Sequence, residues 1–269
     1  MTPRETLLKN GLVVIDQAVR PVYRESLLRA LVGVFRKYCP DAALPSVAWD
    51  SPEFHQRLIR FRQESPKLFG AMYDTLQNCV ALQQMFSDPK LLQVVSDLLD
   101  EEPAGLTTTG LMLRMDPPFD ERNSLAWHQE SSYYIQNLGT LNGLVIWSPM
   151  LDIASGMGPV EFCLASHQSG SLQVEHKQKA DAYTSEQFRV EDSVVQRFEN
   201  VAPLLKAGSL VAFTIHTIHR SGKNVSPLIR FAAGVRYHKI FALDFLPGRV
   251  QYKPNLDVGR LTSTSGTTP

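Results

Sequence analysis

Trp127-His128-Gln129-Glu130, preceded by Ser124-Leu125-Ala126 and followed by Ser131-Ser132-Tyr133-Tyr134, has the small and aromatic flanks of a strand or of a strand running out into a loop. Side chains on a strand alternate between faces, so His128 and Glu130 point the same way and Gln129 the other. An imidazole beside a carboxylate is two thirds of a two-histidine, one-carboxylate iron site, which keeps its remaining positions open. A His-x-Glu triplet arises easily by chance. Its weight depends on a second imidazole, and His219 supplies one, 219 − 128 = 91 residues on.

His219 opens the run His-Arg-Ser-Gly-Lys-Asn-Val-Ser-Pro-Leu-Ile-Arg, which ends at Arg230. Glycine, asparagine and Ser226-Pro227 make its middle a turn. The chain therefore leaves a buried strand at His219 and returns on one that carries Arg230. On that returning strand Arg230, Ala232, Gly234, Arg236 and His238 share one face. Ile229, Phe231, Ala233, Val235 and Tyr237 share the other, an apolar face that must pack on a core. Small residues beside an arginine leave room for a ligand, and a planar guanidinium suits a carboxylate. Arg230 is the preferred anchor because of its distance from His219. Arg236 is its rival, and a salt bridge is the alternative for either.

Further from these motifs the chain divides in two. Gly11 to Asp16 reads as a short strand. Pro21 opens a helix whose stripe is Tyr23, Leu27, Leu31, Val34 and Tyr38, stopped by Pro40. Residues 52–99 read as three helical pieces, the last with Leu91, Leu92, Val95, Leu98 and Leu99 on one face. His55, in this part, is read as an ordinary packing histidine. From about 105 strands take over: 106–115, 124–130, 142–148, 160–163, 209–215 and 228–238. Residues 168–200 are polar and patternless, a long surface insertion and candidate lid with helical character over 186–195. Helices first and strands later, without alternation, exclude a doubly wound sheet. The expectation is a mainly β protein with flanking helices, a double-sheet barrel in one domain over 1–260. Its helical part is 1–104, its barrel 105–240, and 261–269 is a flexible tail.

Bulk properties narrow the function class. The 269 residues are 43% hydrophobic and 20% charged, an ordinary balance for a sizeable core. Lys+Arg and Asp+Glu are 27 each, so no basic excess points to nucleic acid. Cys39, Cys79 and Cys163 are odd in number and lack CxxC spacing, which fits a reducing compartment. No apolar run approaches a membrane span, and the N-terminus does not read as a signal peptide, so the expected location is cytoplasmic.

Taken together, Trp-His-Gln-Glu, Gly158-Pro159 to Ser166-His167, and His219-x-Ser221-x-x-Asn224-x-Ser226 to Arg230 resemble the phytanoyl-CoA dioxygenase family of iron(II), 2-oxoglutarate-dependent oxygenases. The resemblance covers about 105–240, with a similar N-terminal strand and helix. It implies a double-stranded β-helix, or jelly roll, with His128, Glu130 and His219 as iron ligands. It also implies that Arg230 and Ser221 bind the distal carboxylate of 2-oxoglutarate. The implied chemistry consumes oxygen and 2-oxoglutarate, is stimulated by ascorbate, and oxidises a C–H bond of a small organic substrate with neither nucleic acid nor membrane as partner. Two departures stand out. Glu130 replaces the usual aspartate, so its longer arm must fold back to the metal. Leu164-Ala165 replaces a common Pro-Gly pair.

Trp147 and Arg114 are further candidates around the cosubstrate, and Trp127, Tyr133, Tyr134 and Phe213 are candidates for the pocket wall. His216 rivals His219, and Asp152 rivals Glu130. The competing functions are a zinc or manganese barrel that hydrolyses or isomerises its substrate, and a non-catalytic metal-binding module.

Overall fold

The computed structural model describes residues 1–40, 47–77, 79–120, 124–134, 136, 139, 141–177 and 187–245. Its helices are α1 (Pro3–Asn10), α2 (Pro21–Tyr38), α3 (Pro52–Glu64), α4 (Pro66–Leu76), α5 (Val80–Phe86), α6 (Pro89–Leu99) and α7 (Asp192–Val195). Its strands are β1 (Leu12–Ile15), β2 (Leu106–Asp116), β3 (Gly143–Pro149), β4 (Glu161–Cys163), β5 (Glu175–Lys177), β6 (Gln187–Arg189), β7 (Asn200–Val201), β8 (Leu210–Thr214), β9 (His219–Arg220) and β10 (Arg230–Lys239).

Local chemistry sets the N-terminal half. Helices α1, α2, α3, α4 and α6 each begin on a proline, whose fixed φ and missing N–H suit the first turn. Helix α1, which the sequence reading did not anticipate, is closed at both ends. Thr2 and Glu5 form a capping box, and Gly11 ends it at φ 80° with its N–H on the Leu7 carbonyl. The region 52–99 holds four helices where three were expected, because Ser65-Pro66 breaks the first piece.

Five antiparallel strands run in the order β1-β8-β3-β10-β2, and a smaller sheet runs β7-β4-β9. The helices cover one face of the larger sheet. Phe231 packs there against Trp49, Phe54 and His55, and the Tyr237 hydroxyl donates to the Phe86 carbonyl. His55 is a fully buried peg. Its Nε2 donates to Trp49 O at 2.7 Å, and its Nδ1 accepts from the Ile229 amide at 2.9 Å. The opposite face meets the smaller sheet across Phe162 and Phe213, 5.0 Å apart. Strand β10 therefore has the two faces expected, one on the helices and one inside the double sheet.

Two expectations change. The 124–130 segment is not a continuous strand. It makes one bridge, His128 to His219, and then turns into a single 3-10 turn at Glu130–Ser132. The insertion at 168–200 is not patternless: β5 and β6 pair antiparallel, and among the described residues Asp192–Val195 forms an α-helix. Residue Val190 donates to the Trp127 carbonyl at 2.8 Å, while the Gln187 amide group bridges Ala126 N and Ser124 O. The insertion thus clamps the strand that carries His128, and Trp127, Cys163, Val190, Val195 and Ile218 form a second apolar cluster beneath it. Residues 178–186 and the tail lie outside the described residues.

Candidate metal centre

The segment before His128 and strand β9 are zipped together by backbone. His128 N donates to His219 O, and His219 N to His128 O, both at 3.0 Å. The rings consequently sit side by side, centroids 4.1 Å apart and planes tilted by 47°. Each ring is aimed by its own backbone: Nδ1 of His128 donates to Ala126 O at 2.7 Å, and Nδ1 of His219 to Thr217 O at 2.9 Å. A proton held on Nδ1 leaves the Nε2 lone pair facing inward. Gln129 points the opposite way, as alternation requires. It ties the start of the insertion, through Gly170 O at 2.8 Å and Leu172 N at 2.9 Å, to the loop before β9, through His216 O at 2.6 Å.

Glu130 completes the group. Ligand atoms of His128, Glu130 and His219 all lie within 4.8 Å of one another, and the three residues are 3–5% exposed. Oε1 of Glu130 is 3.5 Å from His219 Nε2. Nε2 of His128 is a buried nitrogen with no hydrogen-bond partner. Such an orphan is expensive unless something is held there, and two inward imidazoles with a carboxylate are the donor set of a divalent-metal site. Burial, then the neighbouring His219, pushes His128 down to about 3. Burial alone would raise Glu130, but the Arg236 guanidinium and His219 outweigh it and hold the carboxyl well below the usual range. At neutral pH the site therefore presents a neutral imidazole at His128 and an anion at Glu130.

An open cavity lies before the triad. Met112, Val145, Trp147, Val160 and Phe213 make its apolar wall, and Arg114, Arg220, Ser221 and Arg236 its polar one. Trp147 Nε1 is a buried donor without a partner on this wall. A second cavity adjoins it, with Arg114 and Ser221 lining both and Arg230 and Asp116 lining the second. Arg230 does not face the triad. Its Nε and one terminal nitrogen donate to Asp116 Oδ2 at 3.1 and 2.8 Å, and its other nitrogen reaches the Gly158 and Gly222 carbonyls. Arg114 grips the same aspartate at 3.2 Å through two nitrogens. The salt bridge foreseen as the alternative for Arg230 is thus present, and Arg236 has one too, to Glu130.

The remaining candidates are placed as follows. Trp127, Tyr133 and Tyr134 stand behind the ligands and do not line the triad cavity. Tyr133 sets its ring edge against His128, Trp127 lies under Arg220, and Tyr134 lies against Arg236. His216, the rival of His219, is buried away from the triad, with its carbonyl on Gln129. Asp152 serves a turn, bonding Ala207 N and Lys206. Sequence reasoning missed the partners Asp116 and Arg236–Glu130.

No curated protein matches the chain. Among solved structures, the non-heme monooxygenase ThoJ in its nickel complex is 18% identical with a TM-score of 0.57, covering 97% of this chain and 93% of that one. The carbocyclase SnoK of nogalamycin biosynthesis, a non-heme alpha ketoglutarate dependent enzyme, is 16% identical (TM-score 0.58, 99% and 91% covered). EctD from S. alaskensis, solved with 2-oxoglutarate and 5-hydroxyectoine, is also 16% identical (0.56, 88% and 76%). These likenesses show the fold, a jelly roll whose two sheets carry the histidines on one side and β10 on the other. The family model for phytanoyl-CoA dioxygenase (PhyH) matches residues 8–232, which takes in both histidines, the carboxylate, Arg114 and Arg230, and on that match the chain belongs to the phytanoyl-CoA dioxygenase family.

Proposed function

We propose that this chain is an iron(II)- and 2-oxoglutarate-dependent dioxygenase that oxidises an unactivated C–H bond of a small organic substrate, releasing succinate and carbon dioxide. The observation that carries the reading is the convergence of three buried ligand atoms, one of them an unpartnered imidazole nitrogen, on a single open cavity. His128, Glu130 and His219 would hold the metal, which supplies the redox chemistry coupling decarboxylation of the oxo-acid to oxidation of the substrate.

The chain's own work is to bind, orient and keep water out. Two guanidiniums, Arg114 and Arg230, meet at the carboxylate of Asp116, and both line the cavity beside Ser221. A dicarboxylate reaching from the triad past Ser221 would meet those guanidiniums, and Trp147 Nε1 offers it a further donor. Met112, Val145, Val160 and Phe213 give the substrate side an apolar wall that limits stray oxidation. Relatives of this fold are described as a monooxygenase, an epimerase and a carbocyclase. This supports a site in which the pose of the substrate, set by such a wall, decides between hydroxylation and other outcomes.

The test is aerobic release of labelled carbon dioxide from 2-oxoglutarate labelled at C1, with iron(II) and ascorbate. Turnover that His219→Ala abolishes is expected. A wild-type chain that binds the metal but never consumes 2-oxoglutarate, across a panel of substrates, overturns the proposal in favour of hydrolytic or non-catalytic use of the same triad.

A further inference from the structure

Glu130 is already engaged. Its Oε2 accepts from Arg236 Nε at 3.0 Å, and its Oε1 from a terminal nitrogen of Arg236 at 2.7 Å. The fork is itself immobilised. Its other terminal nitrogen donates to Gly110 O at 2.9 Å, its carbon lies 4.8 Å from the centre of the Tyr134 ring, and the residue is 6% exposed. Space for this arrangement comes from a bulge in β2, where the register slips between Gly234 and Arg236 and Gly110 takes φ +59°. Arg236 cannot swing clear of Glu130 without breaking contacts on three sides.

Resting on the metal reading above, we propose that Arg236 is a positioning residue of the metal centre, a resident cation that shares Glu130 with the bound ion. Its fork holds both oxygens along the open edge of the carboxylate, so an ion can meet only one of them from the side, and Oε1 is the one beside His219. Chelation through both carboxylate oxygens is thereby blocked, and the coordination positions that a cosubstrate needs stay open. The long arm of glutamate is folded back by the arginine rather than by the metal. The same sharing weakens the hold on a divalent cation, because the ion must compete with a fixed positive charge for one anion.

The experiment is titration of the full chain with manganese(II) under anaerobic conditions, the free ion followed by its electron paramagnetic resonance. Wild type, Arg236→Leu, Arg236→Lys and His219→Ala are compared, with cobalt(II) absorption as a report on coordination number. Arg236→Leu is expected to bind manganese about tenfold more tightly or better, with a changed cobalt spectrum, because a competing unit charge is gone. Arg236→Lys, which restores that charge, should stay near wild type. Unchanged or weaker binding in a folded Arg236→Leu, or equal tightening by both variants, overturns the inference. Should Arg236→Leu not fold, Glu130→Asp replaces it: withdrawing the carboxylate from the fork should likewise tighten binding, and no tightening counts against the idea. If wild type binds no manganese that His219→Ala loses, the metal reading itself fails, and this inference with it.

Discussion

Gly110→Ala tests how the bulge in β2 supports the centre. The new methyl would stand 2.5 Å from the Tyr134 hydroxyl and 3.1 Å from both Arg236 and the Tyr134 ring carbon that bears the hydroxyl. Three costs accumulate. An L side chain at φ +59° costs about 1 kcal/mol. Pushing the Tyr134 ring off the guanidinium forfeits a cation–π contact worth about 1 kcal/mol. Losing the Arg236 donation to the Gly110 carbonyl adds about 1 kcal/mol. The sum is about 3 kcal/mol, which for a chain of this size lowers the melting temperature by roughly 6–12 °C. The assay is thermal unfolding of the metal-free protein, together with a Gly110→Ala/Tyr134→Ala double variant. Removing the ring takes away the steric obstacle, so the double variant should be less destabilised than the sum of the two single changes. A melting temperature unmoved by Gly110→Ala, or strict additivity in the double variant, would refute the reasoning.

Two further outcomes follow from buried charge. Asp116→Ala removes the carboxylate that Arg114 and Arg230 share and should cost about 3–5 kcal/mol in urea unfolding, whereas a cost under about 1 kcal/mol would mean that the cluster is solvated. His238 is held down to about 4, by burial first and by Arg236 second. Its native pKa lies below the ordinary 6.5, so its contribution is complete above pH 6.5 and is lost as the pH falls from there to about 4, on the order of 3 kcal/mol in all. His238→Gln should therefore flatten the stability curve across that window, and an unaltered acid limb would show that another group controls it.

Much of the centre was legible because its residues obey local rules. Alternation alone put His128 and Glu130 on one side and Gln129 on the other, and it sorted β10 into an apolar face and a polar one. The pairs Arg236–Glu130 and Arg230–Asp116 were not legible, since partners 106 and 114 residues apart leave no periodic trace. Helix α1 was overlooked although its signals were present, Thr2 with Glu5 at one end and Gly11 at the other. The pair of β5 and β6 escaped notice for another reason: its strands are three residues each, too short for alternation to register. Its order comes from Val190 and Gln187 lying against the chain at 124–127, a tertiary contact rather than a local preference.

The two imidazoles occupy one rung of a backbone ladder whose halves are 219 − 128 = 91 residues apart in the chain. An ion therefore cannot template that rung early: while the protein is being made, nothing upstream of residue 219 can bring the second ring into reach. A metal held by all three side chains would load only after residue 219 is made, and a polypeptide halted before β9 would lack the second imidazole.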